Sequence, residues 1–150
     1  MDEVTIRIAA PSEDLWRMVS DITRMGEWSP ENRGGRWLGK AKGPTVGARF
    51  VGFNRHGIVP WATRCEVTKA DPPRHFEFRV KESGMRWGYR FEPDGDGTTV
   101  TEYREHLRPL PGWVKAVYRT RLLGRDRQTL LVDGMHQTLE RLKAAAEAGR

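Results

Sequence analysis

From Phe76 to His106 the chain alternates with period two through three successive segments. Phe76, Phe78 and Val80 are in phase in the first, and Trp87, Tyr89 and Phe91 in the second. Val100, Glu102, Arg104 and His106 are in phase in the third. Residues i and i+2 of a β-strand share a face, so the pattern predicts adjacent strands with an aromatic face. Such a face has to be covered by a second layer. If Val100 sets the phase of the third segment, an acid, a guanidinium and an imidazole join the covered face. The space beneath is then a cavity with a polar tip rather than a solid core. A single β-bulge near the preceding turn would reverse that phase, turning Thr101, Tyr103 and Leu107 inward and the charges toward water. Both registers stay open at this level.

The segments around this block extend it into a sheet. Glu3 to Ala9 alternates Val4, Ile6 and Ile8 against Thr5 and Arg7 and reads as a half-buried strand. A helix starts at Pro11 or Ser12, with Glu13 and Asp14 in its first turn and Leu15, Trp16, Val19 and Ile22 spaced for one buried face. A short helical turn is expected over Thr23 to Trp28, ending at Ser29-Pro30. Further strands are expected at Arg36 to Gly39, Ala48 to Asn54, Trp61 to Ala70, His75 to Lys81, Met85 to Glu92 and Thr98 to Leu107. Hairpin turns are expected at Asn54-Arg55-His56-Gly57, Asp71-Pro72-Pro73, Glu82-Ser83-Gly84 and Pro93-Asp94-Gly95-Asp96-Gly97. Short connections of this kind make an antiparallel meander.

After Pro109 to Pro111 the chain reads helical to its end. Leu131, Met135, Leu139 and Leu142 step by four, four and three residues, with Thr138 on the same side. Trp113, Val114 and Val117 form an earlier apolar patch that does not continue this stripe. A break is therefore expected near Gly124, with Asp126 available as a new N-cap. Segregated strands and helices indicate one α+β domain over residues 1–150, a curved antiparallel sheet closed by a long terminal helix.

Composition removes several classes of function. A chain of 150 residues buries enough surface to fold without a disulfide or a structural metal. The single Cys65 suits a reducing compartment, the N-terminus lacks a signal-peptide pattern, and no run approaches a membrane span. A cytoplasmic protein is expected, with no membrane insertion; a homodimer stays open. The net charge of +6 comes from arginines spread along the chain. Arg119, Arg121, Arg125 and Arg127 point in at least three directions on a helix, so no stripe for a nucleic-acid backbone is expected. His56, His75 and His136 come with no metal-ligand spacing, and no cofactor motif or catalytic-triad motif is present.

At this point the chain resembles the SRPBCC superfamily, also described as START-like or helix-grip, and within it the bacterial polyketide cyclase/dehydrase and lipid-transport branch. The carrying segments are Ala10-Pro11-Ser12-Glu13-Asp14-Leu15-Trp16, Trp28-Ser29-Pro30-Glu31, Val46-Gly47-Ala48-Arg49-Phe50 and Ala70-Asp71-Pro72-Pro73-Arg74. They continue with Trp87-Gly88-Tyr89-Arg90-Phe91-Glu92-Pro93, Gly97-Thr98-Thr99-Val100-Thr101-Glu102 and the stretch from Gly134 to Leu142. The resemblance implies a helix-grip fold of six or seven strands and a cavity for a small hydrophobic or amphipathic ligand, polyketide-like or lipid-like. It does not imply a shared catalytic motif, because fold does not settle function.

The candidate residues follow from these two readings. Glu102, Arg104 and His106 are the catalytic candidates, with Glu102 and Arg104 expected to pair and His106 able to exchange protons near neutral pH. Trp28, Glu31, Phe50, Asn54, Trp61, Phe76, Phe78, Trp87, Tyr89 and Phe91 are the candidate ligand-binding residues of sheet and mouth. Leu131, Met135 and Thr138 are those of the helix. Ligand binding is the leading expectation. A cyclase or dehydratase is the second, with His106 or Glu102 as base and Arg104 or Tyr89 polarising a carbonyl. An interaction module using the basic surface is the third.

Overall fold

The computed structural model describes residues 2–106 and 124–148, and the side chains of residues 2–106 and 132–148. Strand β1 (Asp2–Ile8) is followed by helix α1 (Ser12–Ser20) and a 3-10 segment (Ile22–Glu27). Six strands come next: β2 (Asn32–Trp37), β3 (Arg49–His56), β4 (Val59–Asp71), β5 (His75–Val80), β6 (Met85–Asp94) and β7 (Gly97–His106). Helix α2 (Gly124–Ala148) closes the chain. All pairings are antiparallel, and the order β1-β7-β6-β5-β4-β3-β2 makes one seven-stranded sheet. This is the α+β architecture that the sequence pattern predicts and the helix-grip fold that the family resemblance implies.

Helix α1 buries the face that its spacing predicts, through Leu15, Trp16 and Val19. Trp16 stands edge-on to Phe76, with ring centroids 6.5 Å apart, and its indole Nε1 donates to the His75 carbonyl at 2.9 Å. The end of α2 buries Met135, Thr138, Leu139 and Leu142. Each of the three apolar side chains contributes roughly 1.5–3 kcal/mol by leaving water. Lys143 Nζ donates to the Arg7 carbonyl at 3.3 Å, and Glu147 accepts from the Ala9 amide at 2.8 Å, fastening this end of α2 to β1.

Several boundaries differ from the sequence expectation. Strand β2 lies at Asn32–Trp37 rather than Arg36–Gly39. Strand β3 runs on to His56, so the expected four-residue turn at Asn54 shrinks to Gly57-Ile58; Gly57 supplies its positive φ of 62°. Helix α2 is already formed at Gly124, so Asp126 lies inside it rather than capping it. The expected patch at Trp113, Val114 and Val117, the chain before Gly124 and the position of Leu107 fall outside the described residues.

The outer face of the sheet holds a buried polar cluster. Tyr103 lies directly opposite Gly88 in the register of β6 and β7, and its hydroxyl donates to Glu77 Oε2. His75 Nε2 is 2.6 Å from the same hydroxyl, and Thr68 Oγ1 donates to Glu77 Oε1 at 2.8 Å. Arg90 covers the Tyr103 ring with its guanidinium 4.8 Å from the centroid. The ring fits only because residue 88 has no side chain: a Cβ there would stand 2.2 Å from Tyr103 Cζ. Gly88→Ala should therefore destabilise the fold by about 1–3 kcal/mol or more in urea titrations. The same substitution in a Tyr103→Ala background should cost clearly less, since the clash is then gone.

Candidate functional site

The continuous pairing of β6 with β7 decides the phase of the third strand. Phe91 pairs with Val100, Tyr89 with Glu102 and Trp87 with Arg104. Val100 is fully buried, Glu102 is 3% exposed and Arg104 is 1% exposed. All three share the concave face with the aromatic positions of β5 and β6. One row across the sheet reads Val4, Glu102, Tyr89, Phe76, and the next reads Asp2, Arg104, Trp87, Phe78.

The acid and the guanidinium find partners across strands rather than along one. Tyr89 donates its hydroxyl to Glu102 Oε2 at 2.8 Å, while Arg104 Nε donates to Asp2 Oδ2 at 2.7 Å. The expected direct pairing of Glu102 with Arg104 is thereby corrected. Same-face residues two apart on a strand are separated by roughly 6.5–7 Å, whereas cross-strand neighbours stand at about 5 Å. Arg104 also lies over the Trp87 ring, 5.9 Å from its centroid. Glu102 Oε1 is buried and accepts no hydrogen bond from any described residue.

Burial dominates the protonation of this pair. Removal from water pushes the Glu102 carboxyl up to about 8, against the smaller opposing effects of the Tyr89 hydrogen bond and the Arg104 charge. Tyr89 is held well above its ordinary value, first by burial and then by the adjacent carboxylate. At neutral pH Glu102 is thus a neutral acid. The arrangement can donate a proton or a hydrogen bond to an oxygen brought against the concave face, and can take a proton back.

The remaining candidates separate into groups. His106 shares the face but is exposed at the end of β7; burial, then the Arg104 charge, lowers its basicity. Trp28, Phe50, Phe76, Phe78 and Phe91 are buried in the core, where Phe50 packs edge-on to Phe78 at 5.3 Å between centroids. Trp61 and Trp87 are half-buried. Asn54 sits within β3, accepts from Asn32 Nδ2 at 3.4 Å and donates to Thr63 Oγ1 at 3.3 Å, so it belongs to a ladder of polar groups rather than to a turn. Glu31 is half-buried with His56 Nδ1 at 3.5 Å. Met135 and Thr138 are buried on α2, Thr138 bonding the Gly134 carbonyl at 2.8 Å; the side chain of Leu131 lies outside the described residues.

Two residues of consequence escaped the sequence reading. Asp2, which anchors Arg104, sits more than a hundred positions away and carries no local signal. Tyr103 stands on the outer face, as the register with Val100 inward implies, but its buried partnership there carried no signal beyond Gly88 in mid-strand, which marks a close approach. Cys65 is buried, and its thiol is pushed up to about 12 by desolvation, which leaves it a small core residue. Among the described residues no group of His, Cys, Asp and Glu side chains could hold a metal ion.

A family model described as polyketide cyclase / dehydrase and lipid transport matches residues 3–147. Among solved structures, the chain is similar to the Polyketide_cyc-like protein Cgl2372 from Corynebacterium glutamicum. That match has 33% identity and a TM-score of 0.68, covering 99% of this chain and 91% of that one. TTHA0849 from Thermus thermophilus shares the fold at 18% identity and a TM-score of 0.69, over 98% of this chain and 97% of that one. The di-domain ARO/CYC StfQ of the steffimycin biosynthetic pathway shares it at 13% identity and a TM-score of 0.67, over 98% of this chain and 44% of that one. No curated protein matches the chain.

The buried acid leaves a pH signature. Because the folded-state value near 8 lies above the ordinary 4.5, the folded protein holds a proton that the unfolded chain releases between those limits. The corresponding stability is complete below about 4.5 and is lost as pH rises through about 8. Urea midpoints of the native protein should fall from pH 5 to pH 8.5 relative to those of Glu102→Gln. The difference between the two should change by an amount on the order of 2–4 kcal/mol. Parallel pH profiles would show that the folded state does not hold that proton.

Proposed function

Since the chain belongs to the polyketide cyclase/dehydrase and lipid-transport family, we propose that it binds a small, largely apolar, oxygen-bearing molecule, polyketide-like or lipid-like, between the concave face of the sheet and α2. The observation that carries this reading is Glu102 Oε1. A buried polar atom without a partner costs about 1–3 kcal/mol, and this one stands beside an aromatic wall. A carbonyl or hydroxyl oxygen of a ligand supplies the missing partner. Trp87, half-buried on the same face, supplies apolar surface at roughly 25 cal/mol per Å², and the neutral carboxyl fixes the ligand's orientation.

A cyclase or dehydratase is the second reading, favoured by the raised basicity of Glu102. An acid that is half-ionised near pH 8 can remove a proton from the carbon beside a carbonyl and return one to the oxygen formed on ring closure. Tyr89, hydrogen-bonded to it, holds its orientation. His106 is exposed at the end of β7 with lowered basicity, so the base in this reading is Glu102. The likeness to StfQ is consistent with such chemistry but, at its identity, speaks to fold alone.

Two probes of equal shape separate the contributions of oxygen and hydrocarbon. Binding of 2-acetylnaphthalene should weaken about tenfold in Glu102→Leu, one lost hydrogen bond. Binding of 2-isopropenylnaphthalene, in which a methylene group replaces the carbonyl oxygen, should not weaken. Affinity of the native protein for the ketone should also fall as pH rises through about 8. An equal loss for both probes, or no binding of either, would count against an acid that reads a ligand oxygen. Turnover of a linear poly-β-ketone by the native protein, lost in Glu102→Gln while binding persists, would select the enzyme.

A further inference from the structure

The hairpin joining β3 to β4 ends in an apolar tip where a turn ordinarily carries polar residues. Gly57 and Ile58 form the turn, and Ile58 is 88% exposed. Val59, which closes the hairpin opposite His56, is 60% exposed, and Phe53 on the outer face of β3 is 42% exposed. Pro60 and Ala62, also exposed, continue the apolar surface on the outer face beside Phe53, and the half-buried Trp61 follows Val59 on the other face. Isolated exposed apolar residues need no explanation, but a contiguous group at one projecting tip marks a surface that meets something.

The charges around the tip indicate what that is. Arg55 stands opposite Pro60 in the hairpin, and Arg33 lies on the adjacent β2 beside Asn32, which pairs with Asn54; both are exposed and in no ion pair among the described residues. Elsewhere on the sheet Arg49, Arg64, Arg79 and Arg90 are each bound to a carboxylate, and Arg36 on the neighbouring β2 is, like the pair near the tip, exposed and in no ion pair among the described residues. His56 at the base of the turn has the half-buried Glu31 carboxylate 3.5 Å from its Nδ1. An apolar tip with two unpaired arginines on its own and the adjacent strand complements the surface of an anionic bilayer, whose acyl boundary accepts the apolar residues and whose headgroups accept the arginines. Among the described residues no helix is long and apolar enough to cross a membrane; docking by a tip makes no such demand.

We propose that the β3–β4 tip docks the protein on anionic phospholipid membranes, with Ile58 and Val59 entering the interface and Arg33 and Arg55 contacting headgroup phosphates. This inference stands apart from the ligand reading, since none of its residues touches Glu102 or Tyr89, and the protein can dock whatever its cavity holds. A second copy of the chain is the competing occupant of the tip.

Vesicle co-sedimentation decides the matter, using phosphatidylcholine vesicles with and without phosphatidylglycerol. The native protein should pellet with the anionic vesicles and release as salt is raised. The double substitution Ile58→Asp, Val59→Asp should weaken pelleting by at least about tenfold, with an unchanged circular dichroism spectrum. Ile58→Ser should give an intermediate loss, and Arg33→Ala with Arg55→Ala should flatten the salt dependence. No pelleting with anionic vesicles overturns the proposal. Pelleting untouched by the Asp substitutions overturns it too, since net positive charge alone then explains the binding. Equal pelleting with neutral vesicles removes the headgroup role of the arginines. A dimer in sedimentation velocity that the Asp substitutions dissociate, without vesicle binding, assigns the tip to the second copy.

Discussion

The antiparallel pairing of β6 with β7 is the constraint on which the rest of the molecule depends. It runs without interruption from Met85 opposite His106 to Asp94 opposite Gly97, and Gly95 with a φ of 65° turns the chain between them. A slip of one residue would exchange the faces of every side chain in the pair. In the register adopted, Glu102 meets Tyr89 beneath the helix and Tyr103 crosses Gly88 on the far side. Both of these clusters are consequences of that single alignment.

The two buried glutamates show how differently one residue type can be used. Glu77 and Glu102 are equally buried, at 3% exposure. Glu77 accepts from Tyr103 and from Thr68 and has Arg86 at 3.4 Å, so both of its oxygens are occupied. Glu102 has one oxygen bonded to Tyr89 and the other without a described donor. A buried carboxyl group with both oxygens hydrogen-bonded rigidifies a fold, whereas one with an oxygen left over carries a standing cost. The first suits a brace, and the second suits a group kept ready for something that arrives from outside. Placing the brace on the outer face and the ready acid on the inner face keeps the two from competing for the same donors.

The parts of the fold governed by local pattern could be read from the chain, and the parts governed by distant neighbours could not. The alternation through Phe76, Trp87 and Val100 identified three strands and, in one of its two registers, the inward face of Glu102. The four-and-three spacing of Met135, Leu139 and Leu142 identified the buried stripe of α2. Strand β2 was misplaced because Asn32-Arg33-Gly34-Gly35 has no alternation. It is a strand because β3 offers an edge and because Gly35 leaves room beside the Ile22 and Val51 carbonyls. The run Asn54-Arg55-His56 has turn composition but stays extended, since β4 pairs with it up to His56. In the site, Glu102 and Tyr89 were legible as residues but their partnership was not. Along the chain Arg104 is nearer to Glu102 than Tyr89 is, and only the sheet brings the tyrosine closer.

Strand β4 carries a register shift between Val67 and Lys69. The extra residue, Thr68, donates to Glu77 on the outer face, while Val67 remains fully buried in the core. Bulges bend the strand that holds them and raise its twist, so this one helps set the curvature of the concave wall. The hydroxyl that pins it faces the opposite way. The curvature of the concave face is therefore governed in part from the back of the sheet, by residues on the opposite side of it. Divergence among such proteins can accordingly reshape the interior through changes at positions like Thr68, leaving every interior side chain as it was.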